Sequence, residues 1–420
     1  MDTILVRGGQ RLQGEVAVAG AKNAALPILF ATLLTEEPCV LRRLPDVVDV
    51  RTTLQLLRHL GASVEPFDGA VRICTAGVSC HEAPYELVKT MRASFLVLGP
   101  LLARFRSARV SQPGGCAIGG RPVNLHIQGL REMGAAIDLV HGYADARAER
   151  LRGARIRLEL PSVGATEHLM MVAAIADGET TIENAACEPE VADLGTALTA
   201  MGAHIQGAGE PVVRISGVPR LRGMDFAVVP DRIEAGTFLI AAAVTRGDVF
   251  VRGAQPRHLH AVLRKLREAG MQIDEQEDGV RARAHGRLRG VDVQTLPYPG
   301  FPTDLQAQMM ALAAIADGSS AIVETIFENR FMHALELARL GADISIDGHT
   351  AVVRGVHALS GAPVMATDLR ASVSLVLAGL AARNTTEVRR VYHLDRGYER
   401  LEAKLSQLGA DIERVTGMRG

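Results

Sequence analysis

The chain has 420 residues, a formal net charge of −1 and no tryptophan. Its length exceeds the usual size of one hydrophobic core and predicts two domains. The balanced charge and the 4% aromatic content argue against nucleic-acid binding, which needs a basic surface and often aromatic stacking platforms.

The N-terminus and the cysteines limit the compartment. Residues 1–10 (MDTILVRGGQ) lack a signal-peptide pattern, and no apolar run reaches the ~18 residues of a membrane span. The five cysteines are widely spaced and lack paired zinc-ligand spacing. We therefore expect a cytoplasmic protein with reduced thiols, no membrane or nucleic-acid partner and no zinc site.

One short phrase recurs along the whole chain. It reads Leu, any, any, small or apolar, Gly, small, any, Ile or Val. Its six glycines are Gly61, Gly134, Gly202, Gly270, Gly341 and Gly409. They are about 70 residues apart, which indicates six copies of one structural unit. Each glycine suits the left-handed residue that ends a helix.

A second phrase, Leu-x-Gly, opens most units. Its glycines are Gly14, Gly153, Gly223, Gly290 and Gly361, and the copy near residue 80 is degenerate. An alternating stretch follows and predicts a strand; then come an alanine-rich helix, a short strand and the amphipathic helix that leads to the repeat glycine. Each unit is therefore strand, helix, strand, helix, strand, strand. We predict an α/β fold with helices inside, sheets outside and three units per domain.

Charged or capping residues recur where the first strand of a unit gives way to its helix. In chain order these positions are Lys22 with Asn23, Arg92, Ser162 to Gly164, Asp231 with Arg232, Asp304, and Asp368 to Arg370. Cations are unfavourable at a helix N-terminus unless an anion is bound there. Their recurrence predicts a shared anion site, although each cation alone fits a solvated surface residue equally well. Asp231, Arg232 and Glu234 fit a structural ion pair as well as a ligand site.

The segment 112–122 (QPGGCAIGGRP) departs from the repeat. Four glycines surround Cys116, and Arg121 follows five residues later. Such a loop excludes regular structure and can lower the pKa of a thiol, so Cys116 is a candidate acid or nucleophile. The alternative is a turn that happens to contain a cysteine.

A further charged cluster lies outside the repeat positions. Residues 328–330 (ENR) and 393–400 (HLDRGYER) each follow a predicted strand. Arg396 precedes Gly397, which permits close backbone approach, so Arg396 can project into a cleft.

Several segments together resemble the enolpyruvyltransferase family over essentially the whole chain. They are residues 20–24 (GAKNA), 113–122 (PGGCAIGGRP), 301–304 (FPTD), 327–331 (FENRF), 366–370 (ATDLR) and 393–400 (HLDRGYER). The resemblance implies the two-domain inside-out α/β barrel. It places one domain at residues 22–229 and the other at 1–21 plus 230–420, with a double crossover near residues 21 and 229.

Within that family the chain resembles the branch that uses a nucleotide sugar. This implies transfer of the enolpyruvyl group of phosphoenolpyruvate to the 3-hydroxyl of UDP-N-acetylglucosamine with release of phosphate, the first committed step of peptidoglycan precursor synthesis and cell-wall biogenesis. Cys116 matches the family's general acid and the target of the phosphonate epoxide fosfomycin. Asp304 matches its general base, and the resemblance implies that Lys22 is a third catalytic residue. It also implies that no metal or organic cofactor is required.

The resemblance also implies two sets of binding residues. The phosphoenolpyruvate set is Lys22, Asn23, Arg121, Arg370 and Arg396. The UDP-N-acetylglucosamine set is Asn23, Arg92, Arg121, Pro122, Val123, Asn124, Leu125, Ser162, Val163, Gly164, Asp304 and Ile326.

Three positions depart from the family's common pattern. Leu160 stands where many members have Lys and Asn124 where many have Asp, and both positions belong to the part of the site implied for the nucleotide. Gly120, in the cysteine loop, stands where Ala is common. None of the three is one of the implied phosphoenolpyruvate cations. Two other functions stay open. One is 5-enolpyruvylshikimate-3-phosphate synthase, which shares the fold but lacks the cysteine loop, and the other is a non-catalytic, anion-binding repeat protein.

Overall fold

The computed structural model describes residues 2–89, 91–113 and 123–417, and these divide into two compact units. The described residues between 20 and 229 form the N-terminal unit. Residues 2–19 together with 230–417 form the C-terminal unit. Cys116, Arg121 and Pro122 lie outside the described residues.

Twenty-four strands occur in the described residues. In chain order they are β1 (Thr3–Arg7), β2 (Gln13–Ala17), β3 (Cys39–Arg42), β4 (Ser63–Phe67), β5 (Ala70–Cys74), β6 (Glu82–Ala83), β7 (Ser107–Ser111), β8 (Ala136–Val140), β9 (Tyr143–Arg147), β10 (Arg155–Arg157), β11 (Glu179–Glu183), β12 (His204–Gln206), β13 (Val212–Ser216), β14 (Asp225–Ala227), β15 (Asp248–Arg252), β16 (Gln272–Gln276), β17 (Gly279–Arg283), β18 (Val293–Gln294), β19 (Ser319–Val323), β20 (Asp343–Asp347), β21 (Thr350–Arg354), β22 (Pro363–Met365), β23 (Thr385–Arg389) and β24 (Asp411–Val415).

Thirteen α-helices accompany these strands in the described part of the chain. They are α1 (Lys22–Ala31), α2 (Val48–Leu60), α3 (Tyr85–Val88), α4 (Leu98–Phe105), α5 (Asn124–Glu132), α6 (Val163–Ala173), α7 (Pro189–Ala200), α8 (Arg232–Val244), α9 (His260–Glu268), α10 (Gln306–Ala313), α11 (Met332–Arg339), α12 (Leu369–Ala381) and α13 (Leu401–Gln407). Short 3₁₀ helices cover Thr32–Leu34, Arg92–Val97, Pro256–His258, Thr303–Leu305 and Val391–Arg396.

The strands form six four-stranded sheets, three in each unit. The N-terminal unit contains β14-β3-β5-β4, β6-β7-β9-β8 and β10-β11-β13-β12. The C-terminal unit contains β16-β17-β15-β2, β18-β19-β21-β20 and β22-β23-β1-β24. In every sheet one edge pair is parallel and the remaining pairs are antiparallel. The prediction of six repeats, three per unit, is confirmed.

Two strands, β2 and β14, pair in parallel with strands that are distant from them in the chain. Strand β2, which contains the first Leu-x-Gly glycine, pairs in parallel with β15, and β14 pairs in parallel with β3. Strand β1 completes another sheet by pairing with both β23 and β24. Residues 2–19 therefore close two sheets of the C-terminal unit before the chain enters the N-terminal unit.

The interior of each unit is helical and aliphatic. All residues of α8 from Ile233 to Val244 are buried, and α12 is buried from Arg370 to Leu380. In the N-terminal unit, α1 and α6 are buried in the same way. Each unit has its own hydrophobic core, with helices inside and sheets outside as predicted.

The six repeat glycines have the left-handed backbone conformation that the sequence analysis predicted for them. All six have positive φ, between +93° and +106°. A residue with a Cβ is strained in that conformation, so glycine ends each amphipathic helix and lets the chain turn into the next strand. Among the described residues, no helix combines the length and apolarity needed to cross a membrane.

Candidate active site

Lys22 begins the buried helix α1 of the N-terminal unit. Its N-cap, Ala21, makes no side-chain capping bond. The Lys22 Nζ lies 3.2 Å from Asp49 Oδ2, and the exposed fractions of the two side chains are 12% and 3%. Since a cation is unfavourable at this helix end, the buried Asp49 stabilises it. The predicted position of Lys22 at a helix start is confirmed; Asp49 was missed, and the only sequence signal for it was an acid in the first turn of α2.

The start of α6 gathers a second group of predicted residues. Ser162 is the N-cap, and its Oγ accepts a hydrogen bond from the Ala165 N–H at 3.3 Å. Val163 and Gly164 are the first two helical residues. A Cβ on Gly164 would lie 3.3 Å from Cε1 of His126. Burial, followed by the charges of His168 and Arg92, lowers the pKa of His126 well below its usual value. Arg92 is the first residue of the 3₁₀ helix Arg92–Val97.

The other predicted site residues of the N-terminal unit that the structure describes lie at the starts of α5 and α1. Val123 is buried, Asn124 is exposed and is the first residue of α5, and Leu125 is partly buried. Asn23, the second residue of α1, is also partly buried.

Asp304 is the centre of the charged cluster in the C-terminal unit. It lies in the 3₁₀ turn that leads into α10. Its Oδ1 accepts a hydrogen bond from Arg330 Nη2 at 2.8 Å, and its Oδ2 accepts one from Arg370 Nη2 at 2.7 Å. The exposed side-chain fractions are 25% for Asp304, 5% for Arg330 and 7% for Arg370. Ions this poorly hydrated are stable only when paired, so the three residues form one electrostatic unit.

The protonation state of the cluster follows from its geometry. Burial alone would raise the pKa of Asp304, but the charges and hydrogen bonds of Arg370 and Arg330 outweigh it and hold that pKa well below its usual range. Burial alone would lower the pKa of Arg370, but Asp304 raises it above its usual value. A depressed carboxyl pKa stabilises the fold above the unfolded-state value and loses that contribution as the pH falls through the folded-state value. Asp304 is thus ionised at neutral pH.

The buried carboxylate of Glu324 holds Arg330 in place through the hydroxyl of Thr303. Glu324 is 1% exposed, and its Oε2 accepts a hydrogen bond from Thr303 Oγ1 at 2.8 Å. Thr303 Oγ1 in turn accepts from Arg330 Nη1 at 2.8 Å. The other oxygen of Glu324 accepts from the backbone N–H of Ile326 at 2.9 Å. Glu324 therefore fixes both Arg330 and the backbone at the predicted contact Ile326, although the sequence analysis did not identify it.

Tyr398 supports Arg370 in a similar way. Its buried hydroxyl accepts a hydrogen bond from Arg370 Nη1 at 3.4 Å and lies 2.9 Å from Thr237 Oγ1. Gln308 Nε2 donates to the same hydroxyl at 3.3 Å and to the Asp304 carbonyl at 2.9 Å. The network joins α8, α10 and α12, which lie in three different repeats.

Arg396 ends the 3₁₀ helix Val391–Arg396 and is partly buried. A Cβ on the next residue, Gly397, would lie 2.7 Å from the Leu369 side chain. Glycine therefore lets this turn lie directly against the start of α12, where Arg370 is located. The structure thus brings Arg396 to the helix end that carries Arg370.

Asp231, Arg232 and Glu234 make structural contacts. Asp231 caps α8 by accepting from the Ile233 and Glu234 N–H groups. Glu234 forms an ion pair with Lys404 at 2.6 Å, and Arg232 lies over the ring of Tyr298. The structural alternative for this group is supported, so the repeated position does not have one common role.

The N-terminal unit therefore carries Lys22 and Arg92 at helix starts. The C-terminal unit carries the ionised carboxylate of Asp304 between Arg330 and Arg370. Within the described parts of the chain, no three His, Cys, Asp or Glu side chains group to hold a metal ion. Arginine and lysine side chains of this kind can bind phosphate and carboxylate groups, and an ionised carboxylate can accept a proton.

Comparison with known proteins places the chain among enzymes of one type. Residues 6–405 match the family described as EPSP synthase (3-phosphoshikimate 1-carboxyvinyltransferase). A UDP-N-acetylglucosamine 1-carboxyvinyltransferase of Geotalea uraniireducens (strain Rf4) is 59% identical over 415 residues, which is 99% of this chain and 100% of that protein. One from Halorhodospira halophila (strain DSM 244 / SL1) is 55% identical over 416 residues, with the same coverage.

Solved structures agree on the fold. The enolpyruvyl transferase NikO from Streptomyces tendae superimposes with a TM-score of 0.90 at 27% identity, covering 99% of each chain. An EPSP synthase from Acinetobacter baumannii gives a TM-score of 0.78 at 19% identity, covering 99% of this chain and 100% of that one. The second similarity is evidence for the fold alone.

Proposed function

The chain belongs to the EPSP synthase family and, within it, to the UDP-N-acetylglucosamine 1-carboxyvinyltransferases, and from this we propose how its residues perform the reaction. The enzyme transfers the enolpyruvyl group of phosphoenolpyruvate to the 3-hydroxyl of UDP-N-acetylglucosamine and releases phosphate. The reaction belongs to peptidoglycan precursor synthesis, which we place in the cytoplasm. The observation that carries the proposed mechanism is the Asp304 carboxylate held between Arg330 and Arg370.

Binding of phosphoenolpyruvate requires several fixed cations, because its phosphate and carboxylate together carry up to three negative charges. We assign the phosphate to Lys22, Arg121 and Arg396, and the carboxylate to Arg370 and Arg396. Asn23 adds a polar contact. Arginine suits this task because its planar fork binds carboxylate and phosphate oxygens in pairs. The low exposure of Lys22 and Arg370 supports the assignment, since poorly hydrated cations bind anions strongly.

Addition comes first in the proposed reaction. The Cys116 thiol donates its proton to the methylene carbon of phosphoenolpyruvate, and the sugar 3-oxygen forms a bond to the adjacent carbon. The hydroxyl proton passes to Asp304. The low pKa of Asp304 is compatible with this role, since the attacking hydroxyl becomes strongly acidic as its oxygen bonds to the electron-poor carbon.

Elimination then completes the transfer. The Cys116 thiolate takes back a proton from the new methyl group, the carbon–oxygen bond to phosphate breaks, and the double bond forms again. The proton on Asp304 leaves with the phosphate or passes to solvent. Positive charge from Lys22, Arg121 and Arg396 stabilises the departing phosphate. Proton transfer and fixed cations account for every step, and no redox change occurs in the sequence.

The nucleotide sugar occupies the remaining predicted residues. We assign its diphosphate to the start of α6, where Val163 and Gly164 begin the helix, and its sugar to Asn23, Arg92, Asp304 and the backbone at Ile326. Val123, Asn124 and Leu125, with Arg121 and Pro122, are assigned to the uridine end. Helix N-termini bind phosphate through free N–H groups and the helix dipole.

Phosphate release from phosphoenolpyruvate tests the reaction, with UDP-N-acetylglucosamine and shikimate 3-phosphate as alternative acceptors. Activity confined to the nucleotide sugar supports the proposal, and activity confined to shikimate 3-phosphate favours the other enzyme of the fold. The 55–59% identity to the nucleotide-sugar enzymes makes the second outcome the less supported one. A chain that binds phosphoenolpyruvate but releases no phosphate with either acceptor would support the non-catalytic alternative.

Fosfomycin is expected to modify Cys116 and to spare the other thiols. Burial raises the pKa of Cys39 to about 11 and also raises that of Cys187, so both form little of the thiolate that opens an epoxide. Peptide mass spectrometry after partial reaction measures the site, and UDP-N-acetylglucosamine is expected to accelerate labelling. Equal labelling of Cys39 and Cys116 would contradict the assigned role of Cys116.

Replacing Leu160 by lysine is expected to lower the KM for UDP-N-acetylglucosamine two- to fivefold at low salt. Leu160 is 68% exposed and lies two residues before the N-cap of α6. A lysine there adds a solvent-screened attraction of roughly 0.5–1 kcal/mol to the assigned diphosphate. Steady-state kinetics at two salt concentrations measure the effect, with Leu160→Gln as the uncharged control. A gain that persists at 1 M salt, or an equal gain in the control, would argue against an electrostatic cause.

A further inference from the structure

A surface groove of the N-terminal unit is lined by four arginines, and neither predicted substrate set includes them. The groove has a volume of about 1070 Å³, and Arg106, Arg147, Arg150 and Arg152 lie along it. The lining contains one acid, Glu149, so four positive charges and one negative charge leave it at +3. All five residues are exposed. A groove with a surplus of one charge attracts ions of the opposite sign.

Backbone pairing brings two of these arginines together at one end of the sheet β6-β7-β9-β8. Arg147 is the last residue of β9 and lies opposite Ser107 in β7 and Ala136 in β8. Arg106 comes directly before β7, and its carbonyl accepts a hydrogen bond from the Ala148 N–H at 3.0 Å. Neighbouring strands are ~4.8 Å apart, so Arg106 and Arg147 extend from adjacent points of the backbone.

Arg147 lacks the facing carboxylate that two equivalent arginines have. Arg354, the last residue of β21, forms an ion pair at 3.3 Å with Asp343 on the facing strand. Arg283, the last residue of β17, pairs at 3.4 Å with Asp248, which faces it in β15. Arg147 faces a serine and an alanine at these positions, and no acid of the described residues pairs with it. Its charge is therefore open to a ligand.

Arg152 also has side-chain donors that its equivalents use. It is the middle residue of a Leu-x-Gly phrase, as Arg222 and Arg289 are in two other repeats. The side chain of Arg222 donates to the Ala200 carbonyl at 3.4 Å, and that of Arg289 donates to the Glu268 carbonyl at 3.4 Å. Both carbonyls end the helix that precedes the phrase. Arg152 makes no corresponding bond within the described parts of the chain, so its guanidinium is also available.

Arg106 stands at a left-handed turn where three other repeats have glycine or asparagine. Its φ is +64°, and Gly178, Gly318 and Asn384 have φ angles of +89°, +88° and +66°. In all four, the backbone carbonyl accepts a hydrogen bond from the residue that follows the neighbouring antiparallel strand. Arginine is strained in this conformation, which glycine and asparagine adopt more readily. Because the turn does not need an arginine, the charge is the property of Arg106 that a ligand can use.

Arg150 differs from the other three because it forms an ion pair with Asp177. The two side chains are 74% and 40% exposed, so solvent screens this pair. Asp177 offsets one positive charge of the groove. Among the described residues, the guanidinium groups of Arg106, Arg147 and Arg152 thus border one groove without an ionic partner.

We propose that the groove bordered by Arg106, Arg147 and Arg152 binds an oligophosphate, either free or as the phosphate chain of a nucleoside triphosphate. Phosphate oxygens match the planar fork of arginine, and one chain of phosphates can contact guanidinium groups that extend from adjacent strands. The lining contains no aromatic side chain, so it offers a nucleobase no stacking surface. Recognition is therefore through the phosphates alone. The inference is independent of the proposed function, since no residue of the groove takes part in the proposed transfer.

Calorimetry with inorganic triphosphate on the full-length protein tests the site. The variants are Arg106→Asn, which keeps a residue suited to the left-handed turn, Arg147→Ser, and the two combined. Arg354→Ser is the matched control, because it removes the equivalent arginine from another repeat. Since the active site is itself expected to bind phosphate groups, the contribution of the groove is the difference between parent and variant. Thermal melting checks folding, and Arg106→Asn should melt no lower than the parent because backbone strain is removed.

The double variant is expected to bind triphosphate about tenfold more weakly at about 50 mM salt, and each single variant about threefold more weakly, as for exposed ionic contacts. The control should stay within about twofold of the parent, and the difference should disappear at about 0.5 M salt. A double variant that matches the parent overturns the proposal, and so does an equal loss in the control.

Two further ligands distinguish the chemical sources of the bound charge. ATP should bind the groove within about threefold of triphosphate, and a larger difference in either direction overturns recognition through the phosphates alone. Hexaglutamate, which has carboxylates in place of phosphates, should bind more weakly than triphosphate. Tighter binding of hexaglutamate would assign the groove to an acidic peptide and overturn the oligophosphate assignment. None of these measurements depends on turnover, so a failure of the proposed function does not affect them.

Discussion

Replacing Asp304 by asparagine is expected to lower kcat about 10³-fold. The variant removes the proposed proton acceptor, and general-base catalysis typically contributes 10²- to 10⁴-fold. Asparagine places its amide oxygen toward one arginine and its NH₂ group toward the other, so the second arginine loses its hydrogen bond to this side chain. Steady-state phosphate release measures kcat, and calorimetry shows whether both substrates still bind.

The same substitution is expected to destabilise the fold by about 3 kcal/mol. Breaking a buried ion pair from one side costs roughly 3–5 kcal/mol, and the partial exposure of Asp304 favours the lower end. Asp343→Asn is the matched control, because Asp343 pairs with Arg354 at 3.3 Å and both side chains are about half exposed. The control should lose less than about 1 kcal/mol and no activity. An Asp304→Asn enzyme that keeps a tenth of the parent kcat would refute the assigned role.

In the pH–rate profile of the parent enzyme, we expect no ionisation from Asp304 above about pH 5. Its pKa is held well below the usual range, so the carboxylate is ionised throughout that interval. A titration seen there must come from another group or from the substrates. The profile of Asp304→Glu is a useful comparison, since the longer side chain changes both arginine contacts.

Replacing Arg370 by lysine is expected to reduce kcat/KM for phosphoenolpyruvate about 100-fold. The guanidinium contacts Asp304 with one nitrogen and Tyr398 with another, and the ammonium group of lysine cannot reproduce that fork. The assigned pairing with the substrate carboxylate is lost for the same reason. Each lost charge-assisted hydrogen bond is worth roughly 1.5–3 kcal/mol, so one such loss accounts for the expected factor.

The ratio between the two substrates distinguishes binding from a general structural defect. The KM for phosphoenolpyruvate should rise far more than the KM for UDP-N-acetylglucosamine. Arg354→Lys is the control, since its side chain is 52% exposed and pairs only at the surface. Equal changes in both KM values, or a loss below about threefold, would show that Arg370 does not bind the phosphoenolpyruvate carboxylate.

Much of the fold could be predicted from local sequence. The six glycines at about 70-residue spacing gave the number of repeats, and their positive φ angles show why glycine is needed there. The degenerate copy near residue 80 corresponds to the short strand β6, which still pairs in parallel with β7. These features depend on backbone conformation and on the alternation of apolar residues, which are properties of short segments.

The candidate site was only partly predictable. Lys22, Arg92 and Arg370 are at helix starts as expected, yet Arg232, at the same repeat position, packs on Tyr298. Residues that support the site, such as Asp49 and Glu324, are single acids in ordinary sequence contexts. Their importance arises from burial and from the groups around them, which a local pattern does not contain.

The sequence by itself determined the repeat, the helical core and the charged helix starts, because each depends on residues close together in the chain. The tertiary structure decided which of those residues meet. Asp304 is 26 residues from Arg330 and 66 from Arg370, and each comes from a different segment of the C-terminal unit. Strand β2 pairs with β15 and strand β14 with β3, and the N–H of Gly99 donates to Nε2 of His168, which lies 69 residues further along the chain. Such contacts depend on which sheets the strands join and how closely the helices pack, and these are set by the energy of the whole folded chain.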